Sequence, residues 1–118
     1  MTEEGKKFLF DVLRAIERIE MFSAETPNFA VFSQDLKTQS AVERQLVIVG
    51  EAMNGLLRIH PEIDVPDARQ IVGLRHRLVH AYDSLDNAIV WAIVQRHIPI
   101  LRATVIALLD RIDGPAHP

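Results

Sequence analysis

The sequence predicts an all-α protein built as an antiparallel bundle of four to five helices. Three observations carry that expectation. Apolar residues recur at three- and four-residue steps through long segments. Proline and glycine place the breaks, at Pro27, Pro61, Pro66 and Gly73 and in a Gly114-Pro115 tail, with Pro99 the one proline inside an apolar segment. Strand signals are nearly absent, because no Asn-Gly or Asp-Gly pair joins two alternating segments.

The first helix is expected over about 3–22, where Phe8, Leu9, Val12, Ile16, Ile19 and Phe22 share one face and Lys6, Asp11, Arg14, Glu17 and Arg18 lie mostly opposite. A short helix is read over residues 26–36, opened by Thr26 before Pro27. A long helix follows from about Lys37 to His60 and stops before Pro61. Its main stripe is Val42, Leu46, Val49, Met53 and Leu56. At about 100° per residue, Arg44, Val47, Ile48, Glu51, Gly55 and Arg58 gather on the far side. Such a mixed face, with glycine for close approach, predicts a second packed surface such as a homodimer seam. Pro66 suits the first turn of another helix running to about Ala81, with Asp64 and Asp67 at its positive end. After a loop at Asp83–Leu85, Asp86 can cap a last helix that carries Val90, Val94, Ile98, Leu101, Val105 and Leu108 and ends near Asp113. A kink is expected at Pro99. Residues 1–113 thus form a single domain, and 114–118 read as a frayed tail.

Composition narrows the function. A chain of 118 residues with 48% hydrophobic and 25% charged residues can bury a core, so wholesale disorder is excluded. The chain has no cysteine, which removes disulfides, thiolate nucleophiles and Cys-ligated zinc. No apolar run is seen to approach the roughly 18 residues of a membrane span, and Glu3 and Glu4 stand where a signal peptide wants a basic start. A cytoplasmic protein with no membrane partner is the expectation. A net charge of −3 is unlike a protein that coats nucleic acid by bulk electrostatics, so any RNA contact must be local.

The informative stretch is Gly73-Leu74-Arg75-His76-Arg77-Leu78-Val79-His80-Ala81-Tyr82. Ile71, Leu74, Leu78 and Ala81 form a core stripe, and Arg75 lies about 40° from Ile71 on its edge. A guanidinium keeps its charge and is costly to bury unpaired, so Arg75 must meet a carboxylate, a backbone carbonyl or a phosphate. Either a structural ion pair or an anion site answers that need. His80 points about 140° away from Arg75 in a regular helix. The two converge only if the helix unwinds near His80 or two subunits juxtapose their copies. His76 and His80 share a face as zinc ligands often do, yet the glutamate of His-Glu-x-x-His is missing and Arg77 stands there, so no metal is expected. Glu51 could pair with Arg75, or equally with Arg44 or Arg58. His60, His97 and His117 have no partner at a telling spacing and are read as solvated or bound to helix dipoles.

Arg75-x4-His80-x-Tyr82 resembles the Arg-x4-His-x-Tyr signature of the HepT-like branch of the HEPN superfamily. Gly50-Glu51-Ala52 resembles the Gly-Glu-Ala element of those proteins, and Asp86-x3-Val90-Trp91-x-Ile93-Val94 with Ile98-Pro99 resembles their last helix. The similarity covers about residues 6–110. His76 departs from the pattern, since asparagine or aspartate commonly follows the arginine. The resemblance implies a homodimeric HEPN-like bundle acting as the toxin of a type VII-like toxin–antitoxin pair. Its partner would be an MntA-like nucleotidyltransferase antitoxin. The family's metal-independent ribonuclease activity would place Arg75 and His80 in catalysis, with His76 and Arg77 supporting them. AMP transfer from ATP would fall on Tyr82, which could otherwise bind substrate, and ATP would serve only as the partner's substrate, with no cofactor for this chain.

Those residue types suit the chemistry. RNA supplies its own nucleophile, the 2′-hydroxyl, so a metal-free enzyme needs a proton acceptor near neutrality and a fixed cation for the developing phosphorane charge. A reading from a different class is a non-catalytic binding subunit whose Arg, His and Tyr cluster docks the nucleotidyltransferase or holds a nucleotide.

Overall fold

A computed structural model of the chain describes residues 1–80 and 86–113, and the side chains of all of these except 78–80 and 113. Six α-helices and one π-helical turn account for the architecture, with no strand among the described residues. Helix α1 runs Glu3–Ser23. The Thr2 hydroxyl accepts the Gly5 N–H at 3.0 Å, and Glu3 and Glu4 sit in the positively polarised first turn. Leu9, Val12, Ala15, Ile16 and Ile19 are buried along one stripe, as the periodicity predicts.

The short second helix is smaller than expected. Helix α2 spans only Phe29–Phe32, capped by Asn28 through the Val31 N–H at 3.0 Å. It cannot extend to residue 36 because Asp35 opens the next helix, α3 (Leu36–Ile59), by accepting the Thr38 N–H at 3.0 Å. That backbone bond, with the Thr38 hydroxyl donating to the same carboxylate, holds the Asp35 carboxyl below its ordinary range. The buried Gln39 amide donates to the Phe32 carbonyl at 2.8 Å, so the end of α2 is not left with an orphaned acceptor. Phe32 is buried and packs on Trp91 with ring centroids 5.4 Å apart.

Helices α1 and α3 are antiparallel neighbours. The His60 Nε2 at the end of α3 accepts the Thr2 N–H at 3.3 Å and lies 3.1 Å from the Thr2 hydroxyl, and the Phe8 ring covers Gly55. His60 is therefore neither solvated nor a simple dipole partner, contrary to expectation. The contact joins residues 58 apart in sequence, a separation no local spacing encodes. Gly55 likewise serves close approach within the chain, since a Cβ there would come within 2.9 Å of three Phe8 ring atoms.

Helix α4 is Ala68–His80 and starts later than Pro66. Asp67 adopts a left-handed φ of 59°, which a continuous helix from Pro66 could not contain, and its carbonyl accepts the Ile71 N–H. Gly73 does not break this helix and sits on an exposed face. The final helix is continuous but not uniform: α5 (Asn87–Ala92) passes through a π-helical turn at Ile93–His97 into α6 (Ile98–Asp113). Asp86 caps it through the Ala88 N–H at 2.7 Å. At the turn before Pro99, where a kink is expected, the helix is π-helical and the Ile98 N–H reaches back to the Ile93 carbonyl. Pro99 lacks an N–H and its ring would crowd the Gln95 carbonyl in a regular helix, and a widened turn accommodates both.

Val90, Val94, Ile98, Leu101, Val105, Leu108 and Leu109 bring this helix into the core against α1. The helix Asn87–Ile112 is nevertheless long and apolar enough to cross a membrane by length and composition, with an 18-residue stretch of mean hydropathy 1.4. The expectation concerned an unbroken apolar run, and Gln95, Arg96, His97, Arg102 and Asp110 interrupt this one. Helical periodicity spreads its few charges, so apolar content accumulates without an unbroken apolar string. Tyr82, the loop at 83–85 and the tail at 114–118 lie outside the described residues, as do the side chains of Leu78 and His80.

The core predicts its own sensitivity. Ile16→Ala, at a fully buried position, should lower unfolding free energy by about 2–5 kcal/mol, whereas Met21→Ala, at 62% exposure, should change it by less than about 0.5 kcal/mol. Urea denaturation of the two variants measures both.

Candidate active site at the α3–α4 crossing

Helix α4 lies across α3, with Ile71 and Leu74 half-buried against the core. Arg75, one turn on from Ile71, is directed to the seam between the two helices. Gly50 makes room for it: a Cβ built on Gly50 would overlap the Arg75 Cβ, lie 2.8 Å from its Cγ and sit 3.2 Å from the Ile71 carbonyl. A glycine inside a helix costs about 0.5–1 kcal/mol relative to alanine, and here it is the condition for the crossing. The arginine stem is thereby pinned between two backbones.

Its charged end is less completely paired. Arg75 keeps 30% exposure, its Nη2 lies 3.8 Å from Glu51 Oε1, and its Nε is buried with no hydrogen-bond partner among the described residues. The ion pair is long for a charge-assisted hydrogen bond, which runs about 2.7–2.9 Å. Of the partners open to Glu51 on sequence grounds, the structure selects Arg75, while Arg44 and Arg58 are exposed. The half-sheltered guanidinium anticipated from helix geometry is therefore present, facing a carboxylate that it contacts only loosely.

Two other residues of the segment can be placed. His76 is exposed. Arg77 turns to the opposite flank of α4, where it rims a cleft of about 450 Å³ between α4 and the last helix, floored by Ile71, Leu74, Ile93 and Leu101. The far end of that cleft is marked by His97 and Asp67, 3.9 Å apart. Arg75 does not line it. The structure thus separates Arg75 from Arg77 and places His80 at the last residue of α4, with its ring outside the described side chains. Among the described residues no group of three or more His, Asp or Glu side chains could hold a metal ion.

The model for the family described as ribonuclease HepT-like matches residues 12–108, from the middle of α1 to near the end of α6. The chain belongs to the ribonuclease HepT-like family. It is 41% identical over 106 residues to a Thermococcus cleftensis protein named "Probable ribonuclease HepT", covering 86% of this chain and 93% of that relative. It is 32% identical over 116 residues to a Methanocaldococcus jannaschii protein with a provisional RNase name, covering 95% and 93%. A second provisional RNase, from Caldanaerobacter subterraneus, is 32% identical over 98 residues, or 81% and 82%. No solved structure matches. The HepT-like match takes in Gly50, Glu51, Arg75, His80 and Tyr82.

Sequence reasoning singled out Gly55 for close approach and did not anticipate what Gly50 does. The available signal was a second glycine five residues earlier inside a strongly apolar helix, where its conformational cost calls for a packing reason. Gly50→Ala should destabilise the protein by about 1–3 kcal/mol, because the new methyl meets the Arg75 stem rather than a flexible tip. Gly73→Ala, whose Cβ would meet nothing within 4 Å, should instead stabilise by about 0.5–1 kcal/mol. Thermal unfolding of the pair reads the contrast.

Proposed function

We propose that this chain is a metal-independent endoribonuclease and the toxin of a type VII-like toxin–antitoxin pair. The observation that carries the reading is Arg75: a pinned, half-sheltered guanidinium that, among the described residues, has an unpaired Nε and one long carboxylate contact, in a chain of the HepT-like family. Such a group has capacity for an anion that its own protein does not fill. The named ribonucleases among the relatives point to RNA phosphate as that anion.

In the proposed reaction Arg75 holds the scissile phosphate in a bidentate manner and stabilises the charge that builds on its non-bridging oxygens. His80 takes the proton of the 2′-hydroxyl as that oxygen attacks phosphorus. The P–O5′ bond breaks and the leaving oxygen takes up a proton, from the protonated His80 or from water, giving a 2′,3′-cyclic phosphate and a 5′-hydroxyl. The angular separation of Arg75 and His80 along α4 favours a homodimer in which the two subunits' copies complete one groove. Tyr82, two residues beyond the end of α4, would carry AMP transferred from ATP by an MntA-like nucleotidyltransferase. Added bulk and negative charge would then compete with RNA for Arg75. The setting is cytoplasmic.

Cleavage of RNA in EDTA tests the reading. Wild type should cut, and Arg75→Lys should lose nearly as much activity as Arg75→Ala, because a point charge lacks the planar fork. His80→Ala should reduce the rate by about 10²–10⁴-fold. No cutting by wild type would favour a non-catalytic docking subunit, and wild-type activity in Arg75→Lys would remove that residue from the mechanism. Mass spectrometry of the chain co-produced with a neighbouring nucleotidyltransferase should show AMP on Tyr82.

A further inference from the structure

We infer that Glu51 is a tethered stand-in for substrate phosphate: it holds the Arg75 guanidinium in the empty site and is the group that an incoming phosphoryl anion displaces. The inference rests on the reading of Arg75 as a phosphate ligand and names the residue that occupies its place beforehand.

Three observations separate the two partners. The Arg75 stem is fixed, because its Cβ and Cγ fill the space a Gly50 side chain would need and the Ile71 carbonyl closes the same seam. The Nε is covered, so the guanidinium meets solvent only along its outer edge, consistent with 30% exposure. Glu51 is different: its side chain is 48% exposed, and among the described residues its ion pair is the loose 3.8 Å contact with Arg75 Nη2. When a second anion arrives, the arginine cannot follow it outward, whereas the glutamate can rotate into water at little cost. Exchange of one oxyanion for another on a stationary cation is the motion this arrangement permits.

The placement also has a purpose in the empty protein. A guanidinium sheltered on one side and wholly unpaired carries a desolvation penalty, and a neighbouring carboxylate reduces it. A long contact is suited to that role, since a short bidentate pair would compete too well with phosphate. Glu51 is accordingly a positioning residue, acting through Arg75 and not on the reacting atoms.

The test follows the Arg75 Nε–Hε signal in ¹⁵N-labelled protein, assigned by its disappearance in Arg75→Lys. Inorganic phosphate should shift that signal in wild type. Glu51→Gln should bind phosphate about two- to fivefold more tightly, the range expected from removing a partly exposed ion pair. In RNA cleavage the same substitution should lower KM by a similar factor and leave kcat within about twofold. Glu51→Asp, which keeps the charge but draws it back by one methylene, should fall between wild type and Glu51→Gln, and it replaces Glu51→Gln should that variant fail to fold. Equal or weaker phosphate binding in both variants overturns the inference, as does phosphate that shifts other signals but not Arg75. The two readings fail separately. Tighter phosphate binding without RNA cleavage in any form keeps the exchange and loses the nuclease, whereas cleavage with unaltered phosphate affinity keeps the nuclease and loses the exchange.

Discussion

The contact on which the site depends is between two backbones. Helices α3 and α4 come together so closely at Gly50 that the first carbons of the Arg75 side chain occupy the position of an absent methyl group. Any other residue at position 50 would push α4 outward and carry the guanidinium with it. The charge is therefore located by packing and not by a salt bridge, which is why a 3.8 Å carboxylate contact suffices to accompany it. Rigidity at the stem and looseness at the tip belong to one design, in which the scaffold fixes where the cation is and leaves open what it binds.

That separation matters in a chain of net charge −3. Overall electrostatics repel a polyanion, so affinity for phosphate has to be built locally, from one cation that is partly removed from solvent and thus less screened. Of the other basic residues of the segment, Arg77 faces the cleft on the other flank of α4 and His76 is exposed. Recognition of RNA by such a surface would depend on shape and on a few exact contacts, as suits a structured substrate more than an arbitrary strand.

Much of this was legible beforehand. The apolar stripes of α1, α3 and the last helix were readable because amphipathic periodicity over twenty residues is a strong signal, and every stripe residue assigned to the last helix is buried. The edge position of Arg75 followed from the same angular arithmetic. Boundaries were less readable. The Asp35 cap shortens α2, and the left-handed Asp67 delays α4. Both depend on single-residue backbone states that average propensities do not resolve. The response to Pro99 could be located but not described, because relief by a π turn or by a bend depends on what the helix packs against. Contacts between distant segments, such as Gly50 with Arg75, leave no trace in local spacing.

The clasp between Thr2 and His60 joins the start of the chain to its midpoint at the end of the α1–α3 pair. The imidazole nitrogen works there as an acceptor, which only the uncharged ring can do. Glu62 lies 3.5 Å from the other ring nitrogen, so the ring is held from both of its edges. A disturbance at either partner is thus felt both where α1 opens and where α3 closes.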